Sequence, residues 1–276
     1  MPFRLLFAEN GFVHVCGHRG NSMNAPENTL PALQSARQQG ASACEIDIVL
    51  SRDGEVVLSH DELLDRTTDG KGPIGEHDLA TLKALDAGAW FAPEFAGTRI
   101  PTLTETIELA KALGVGLVVE MKERRRVDEA IVRLREVLEA TQALEDIVLL
   151  SFDHRSMLLA KERIPGIRTE IITHARHVDI VAVAQAARAD SISVELDMLH
   201  ADDAAALAEA GVGIRCHLPQ PAWLARHEAY DLDPTRELVT ALRGGAITSI
   251  SGDDVGSLRE FLTARGLPAP PPAAHR

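Results

Sequence analysis

The stretch ACEIDIVLSRDGEVVLSH, residues 43–60, decides the fold. Two strand-like runs, ACEIDIV (43–49) and EVVLSH (55–60), are joined only by LSRDG. That link is too short for a parallel crossover, which needs a dozen or more residues, whereas Asp53-Gly54 suits a hairpin turn. Working outward, seven further strand candidates are FVHVCG (12–17), GLVVEM (116–121), DIVLLSF (146–152), IRTEII (167–172), DSISVEL (190–196), VGIRC (212–216) and AITSI (246–250). Between most of them lie stretches with a period near 3.6, such as TLPALQSARQQG (29–40) and RVDEAIVRLREVLEATQ (126–142). Strands alternating with helices give parallel β-structure with right-handed crossovers. Setting 55–60 aside as a return arm leaves eight parallel strands. The expected class is therefore α/β, a (β/α)8 TIM barrel with a β-hairpin arm after strand 2. A doubly wound sheet is the weaker reading, since GxGxxG and the P-loop are both absent from the sequence.

Two segments fall outside the repeat. Residues 61–99 form an expected inserted lid, and 268–276 an expected flexible, proline-rich tail; residues 1–267 read as one domain. The charge is -13, from 28 basic against 41 acidic residues, so general attraction to nucleic acid or anionic membrane is excluded. An anionic substrate would have to be met by a local device. The opening MPFRLLFAENG is broken too early for a secretory signal, and no apolar run approaches the roughly 18 residues of a membrane span. Cys16, Cys44 and Cys216 are odd in number and far apart, which fits a reducing compartment. The expectation is a cytoplasmic protein without integral membrane association, as monomer or homodimer.

Acids within buried strands need a reason. Glu45 and Asp47 are two apart, so both carboxylates point to one side, and Glu120 in VVEMK is placed alike on the next main strand. Carboxylates that close repel unless protonated or sharing a cation. Three of them make a hard oxygen site suited to Mg2+ or Ca2+, with salt bridges to a barrel arginine as the alternative. His18 follows the first strand and His60 ends the return arm; counting from Asp53-Gly54, Asp47 and His60 should meet across the hairpin. Two histidines of near-neutral pKa suit proton transfer. Arg19 and Lys122 add local positive charge, so phosphate chemistry fits this set better than sugar chemistry.

These residues fall in a longer string: HRG (18–20), PENTL (26–30), EID (45–47), DG (53–54), SHD (59–61), DRTTDGKG (65–72), IPTLTE (100–105), VEMK (119–122) and SFDH (151–154). In order and spacing it resembles the glycerophosphodiester phosphodiesterase family, over roughly the first 155 residues. The resemblance implies a TIM barrel that hydrolyses glycerophosphodiesters, such as glycerophosphocholine, to sn-glycerol 3-phosphate and an alcohol. It implies His18 and His60 as the acid–base pair, and Glu45, Asp47 and Glu120 as ligands of one Mg2+ or Ca2+. Arg19 and Lys122 would contact the phosphate, with Glu27, Asn28 and Asp61 beside the metal or behind it, and Thr29 capping helix 29–40. The attacker is either water or the substrate's glycerol hydroxyl.

The C-terminal half departs from the family pattern. Cys216 and His217, in IRCHLPQPAW, stand where a tryptophan–threonine pair is common, and SGDD (251–254) only approximates TDxP. Glu195 and His217 are candidates for the substrate side, or else local structural residues. Two alternatives remain open: the same chemistry on a lysophospholipid, sugar or opine-like phosphodiester, or a barrel that binds phosphorylated ligands without turning them over.

Overall fold

A computed structural model of the protein describes Arg4 and residues 10–271. The opening segment read for a secretory signal lies largely outside the described residues, as do residues 272–276 of the tail. All nine strand candidates form strands: β1 His14–Gly17, β2 Ala43–Leu50, β3 Val56–Leu58, β4 Gly116–Met121, β5 Ile147–Ser151, β6 Arg168–Thr173, β7 Ser191–Glu195, β8 Gly213–His217 and β9 Ser249–Gly252. The last sits about three residues later than its apolar run suggested, because Ala246 and Ile247 end the preceding connection instead. Around the sheet the order is β1-β9-β8-β7-β6-β5-β4-β2, and β1 pairs with β2 to close it. These eight strands are parallel, and β3 alone runs antiparallel, along the end of β2. The chain is thus a (β/α)8 barrel with a hairpin arm.

The hairpin shows how the barrel leaves room for a side arm. β1 pairs with β2 only at Ala43 and Cys44, so the far end of that edge is free, and β3 takes it at Ile48–Leu50. Gly54 makes the turn at φ 84°, a left-handed value costly for side chains other than glycine. The register differs by one residue from the count made on the sequence. Ile48 faces Leu58, so Asp47 lies opposite Ser59, whose N–H donates to the Asp47 carbonyl at 3.1 Å. His60 therefore stands one step beyond the pairing and not across from Asp47; the Ser51 N–H donates to the Glu55 carbonyl at 2.9 Å, so the turn is centred on Asp53 and not between Asp53 and Gly54.

Alternation along the strands sorts the side chains into two populations. One set, including Val15, Ile46, Val119, Leu149 and Ile214, packs outward into the main core under the helices. The other fills the barrel, where Cys16, Ala43, Val118, Val148, Leu150 and Ile172 form a separate apolar cluster. Helix starts are set by side chains that accept the otherwise unpaired first N–H groups. Thr29 caps the helix Leu30–Gln38, Thr102 and Glu105 form a capping box on Leu103–Leu113, and Asp254 caps Val255–Thr263. The insertion builds its own apolar unit, with Leu64, Ile74, Leu82 and Ala87 packed on Val49 and Val57 of the hairpin. At the start of the tail, the Pro268 carbonyl accepts from Val13 N–H, and that of Pro270 from the Arg259 guanidinium.

Candidate active site

The C-terminal ends of the strands surround a cavity of about 560 Å³, a size ordinary for a small-molecule site. His18, Arg19, Glu45, His60, Glu120 and Lys122 line one side; Phe152, His174, Glu195, Arg215 and His217 line the other. From the insertion, Glu62 reaches this wall.

Glu45, Asp47 and Glu120 converge as the period-2 count requires, offering oxygens that lie within 4.8 Å of one another. Adjacent strands bring Asp47 level with Glu120. All three are buried. Burial raises the Glu45 pKa, and the charges of Asp47 and Glu120 raise it further. Asp47 Oδ1 is buried without a hydrogen-bond partner. Its other oxygen accepts from Asn28 Nδ2 at 2.7 Å, while Asn28 Oδ1 accepts from Asp47 N–H at 2.9 Å. A hard divalent cation fits this donor set: it would take up Asp47 Oδ1 and relieve the repulsion that adds to burial in raising the Glu45 pKa.

The basic residues close over the acids. Lys122 Nζ lies 2.6 Å from Glu120 and 3.3 Å from Asp47. Burial lowers the Lys122 pKa, but the two carboxylates outweigh it and hold the ammonium charged. Arg19 donates its backbone N–H to Glu45 at 2.9 Å and its Nη1 to Glu27 at 2.8 Å. Arg19 and Asn28 both adopt left-handed backbone, at φ 52° and 55°. Such strain persists only where its surroundings fix it, here the Asn28–Asp47 exchange and the Arg19–Glu45 bond.

Each histidine is held by an aspartate at Nδ1, which leaves Nε2 for the cavity. His18 pairs with Asp253 at 2.7 Å, and His60 with Asp61 at 2.7 Å. Burial lowers the His18 pKa, but the Asp253 hydrogen bond and the Glu45 charge reverse this and raise it. Asp61 is fixed in turn by Arg66 Nε at 2.6 Å, and the same guanidinium binds both oxygens of Glu27 at 2.6 and 2.8 Å. An ionic chain thus runs from Arg19 through Glu27, Arg66 and Asp61 to His60.

Asp253 and Arg66 were given no role from the sequence, although SGDD and DRTTDGKG were noted there. The signal available for each was an acid or base inside a matching motif; its partner lies far off in sequence or across the insertion. Two barrel residues were not singled out in the sequence, although each is a charge inside a strand-like run. Arg215 on β8 and Glu170 on β6 form a buried ion pair at 2.7 Å, with Ser191 donating to Glu170 and Arg215 to Ser251. Buried charges are tolerated only when matched in this way. On β8, Arg215 and His217 line the cavity while Cys216 packs outward, so of the two residues standing where the tryptophan–threonine pair is common only His217 faces substrate space. The His217 ring meets that of His18 edge-on at 4.9 Å, and burial, then the His18 charge, pull its pKa down to about 4. Glu195 also lines the cavity, with His174 Nδ1 at 3.3 Å.

Comparison with known proteins gives a consistent set of matches. The model of the glycerophosphoryl diester phosphodiesterase family matches residues 18–219. A glycerophosphodiester phosphodiesterase from Caldanaerobacter subterraneus subsp. tengcongensis is 36% identical over 159 residues, 57% of this chain and 65% of that protein. Glycerophosphodiester phosphodiesterase 1 of Rattus norvegicus is 35% identical over 143 residues, 51% of this chain and 43% of the relative. The chain therefore spans less than two thirds of the length of either relative. Among solved structures, an Oleispira antarctica phosphodiesterase in complex with the product sn-glycerol-3-phosphate has a TM-score of 0.79 and 29% identity, covering 92% of this chain and 98% of that one. Among the described residues, no helix is long and apolar enough to cross a membrane.

Proposed function

The chain belongs to the glycerophosphoryl diester phosphodiesterase family, and from that premise we propose that it hydrolyses a small glycerophosphodiester to sn-glycerol 3-phosphate and an alcohol. One observation carries the reading. Three mutually close carboxylates share a cavity with two histidines, each presenting Nε2 from an aspartate-held ring. A barrel that merely bound phosphate would need the basic residues but not this paired proton-transfer equipment.

Glu45, Asp47 and Glu120 would hold one divalent cation, Mg2+ or Ca2+. When bound, it supplies positive charge against the phosphodiester oxygens. Arg19 and Lys122 bind those oxygens from either side of the carboxylates and oppose the charge that grows on them in the transition state. One histidine takes the proton of the attacking hydroxyl at Nε2, and the other gives a proton from Nε2 to the leaving alkoxide. The Nδ1–carboxylate bonds fix the ring orientation and stabilise whichever imidazole is carrying charge. The product named for the Oleispira antarctica structure, sn-glycerol 3-phosphate, is the product expected here.

The head group is the finer part of the proposal. Phe152, His174, Glu195 and His217 form the wall away from the carboxylates, with His217 at a point where the sequence leaves the family pattern, and we assign leaving-alcohol selection to them. The test is release of sn-glycerol 3-phosphate from glycerophosphocholine, glycerophosphoethanolamine and glycerophosphoinositol by chelator-treated protein, with Mg2+ or Ca2+ restored. Activity should appear only with a cation. Full turnover in chelator would overturn the assigned metal dependence, and no product from any diester would overturn the substrate class.

A further inference from the structure

A second cluster of ligating groups lies beside the carboxylates without sharing a residue with them. His18, His217 and Asp253 each offer one ligand atom, and these atoms lie within 4.8 Å of one another. They stand at the ends of neighbouring strands: His18 follows β1, Asp253 follows β9 and His217 ends β8. The cluster is partly open to solvent, with the His18 and Asp253 side chains 26% and 25% exposed, so an ion can reach it.

The donor chemistry separates the two clusters. Three carboxylates are hard oxygen donors and suit Mg2+ or Ca2+, whereas two imidazoles and one carboxylate suit Zn2+ and neighbouring d-block ions. The outer contacts are those a histidine site requires. His217 Nδ1 faces Ser251 Oγ at 3.3 Å, which leaves Nε2 to bind. Ser22 Oγ donates to Asp253 Oδ1 at 3.2 Å and Gln220 Nε2 to Oδ2 at 3.3 Å, fixing the carboxylate. An ion with bonds of about 2.0–2.2 Å holds ligand atoms up to roughly 4 Å apart, so small side-chain rotations close the set.

We propose that His18, His217 and Asp253 form a binding site for a borderline divalent d-block cation, with Zn2+ as the type, and that its occupancy silences His18. The ion replaces the proton held between His18 Nδ1 and Asp253 Oδ1; from the imidazolium that proton leaves to solvent, from the neutral ring it transfers to Nε2, and the freed Nδ1 lone pair goes to the metal. The remaining proton stays on Nε2. A neutral imidazole has one lone pair, so a ring that gives it to a metal has none left to act as base. Nor is it the imidazolium that could act as acid. The silencing, though not the binding, rests on the proposed role of His18 in hydrolysis. His217, one of the three ligands, stands where the family pattern commonly has a tryptophan–threonine pair.

The experiment uses full-length protein saturated with Mg2+ and titrated with Co2+, whose visible bands intensify on four- or five-coordinate nitrogen binding, and then with Zn2+ in competition. The expected result is a one-to-one Co2+ spectrum displaced by Zn2+, weakened at least ten-fold by either His217→Ala or the more conservative His217→Gln, and retained in Glu45→Gln. Circular dichroism confirms that each variant is folded. Unchanged Co2+ affinity in both His217 variants, or loss of the spectrum in Glu45→Gln instead, would overturn the site. In a parallel arm, Zn2+ should inhibit release of sn-glycerol 3-phosphate in the wild type; the same site filled without inhibition would overturn the silencing. A protein that binds Co2+ as expected but hydrolyses no diester would sink the functional reading and leave the metal site standing.

Discussion

His18 and His60 reach one cavity with the same support, a carboxylate 2.7 Å from Nδ1, but they get it by different means. His18 and Asp253 follow β1 and β9, whose pairing runs up to Gly17 and Gly252, so closing the barrel brings the two together across 235 positions. His60 lies two residues past a three-residue return arm, and its carboxylate comes from the next residue. Nothing in the barrel aims that carboxylate; Arg66 does, from the insertion, while gripping Glu27 with its other nitrogens. The first couple is a property of the sheet, and the second of an ionic clamp built on a loop. Loops carry function when a scaffold positions them, and here the scaffold is a chain of charges.

The largest effect tests whether the two couples are equivalent in chemistry. His18→Ala and His60→Ala should each lower kcat by about 10²- to 10⁴-fold with the fold retained, read by steady-state release of sn-glycerol 3-phosphate and circular dichroism. Equal losses support two proton-transfer roles. A near-normal rate in either variant would break the pairing and leave that histidine as a wall of the cavity.

A smaller effect separates the supports. Asp253→Asn removes the charge, and with it the charge-assisted strength of the bond, that hold the His18 pKa up against burial, so the His18 limb of the pH–rate profile should move to lower pH. Arg66→Gln leaves His18 untouched and should lower kcat by roughly ten-fold through a misaimed Asp61, a loss of the size seen for orienting partners. Partial recovery in Arg66→Lys, without a shift of the His18 limb, would show that aim rather than charge near His18 is what Arg66 supplies. A His18 limb that moves in Arg66→Gln would mean that the two supports are coupled through the cavity.

The same contrast explains what was legible in the sequence. Local rules were enough for the strands, for the hairpin at Asp53-Gly54 and for the convergence of Glu45, Asp47 and Glu120, because period 2 and parallel pairing fix side and level together. They were not enough for the hairpin register, where a turn centred on Asp53 and closed by Ser51 and Glu55 moved His60 off Asp47. Asp253 required knowing which strand ends become neighbours once the barrel closes. Arg66 required the path of the whole insertion. The Arg215–Glu170 pair needed the same knowledge of strand neighbours as Asp253, since each charge looks misplaced in its own strand until the other is seen across β7.

The smallest predicted effect concerns stability in acid, and it probes the clamp alone. The Arg66 hydrogen bond, opposed by partial burial and aided by His60, pulls the Asp61 pKa down to about 2. A carboxylate whose folded pKa lies below its unfolded value, near 3.9, contributes stability above that value and loses it as pH falls toward the folded one. The contribution is therefore complete above about pH 4 to 5 and disappears toward pH 2. Asp61 is 31% exposed and Arg66 44%, so water screens the pair and the stabilisation stays near or below about 1 kcal/mol. Denaturant melts at pH 7 and pH 3.5 should show Arg66→Gln closing part of the gap between the two, because the variant has already lost what acid removes. Asp253→Asn should close its own part by a separate route, since the His18 hydrogen bond holds Asp253 well below the usual carboxylate range and Arg66 plays no part in that. If the double variant closes the sum of the two parts, the barrel couple and the clamped couple are energetically independent. If it closes less, the supports share a common element, and the Arg19–Glu27 contact that joins the clamp to the carboxylates is where it lies.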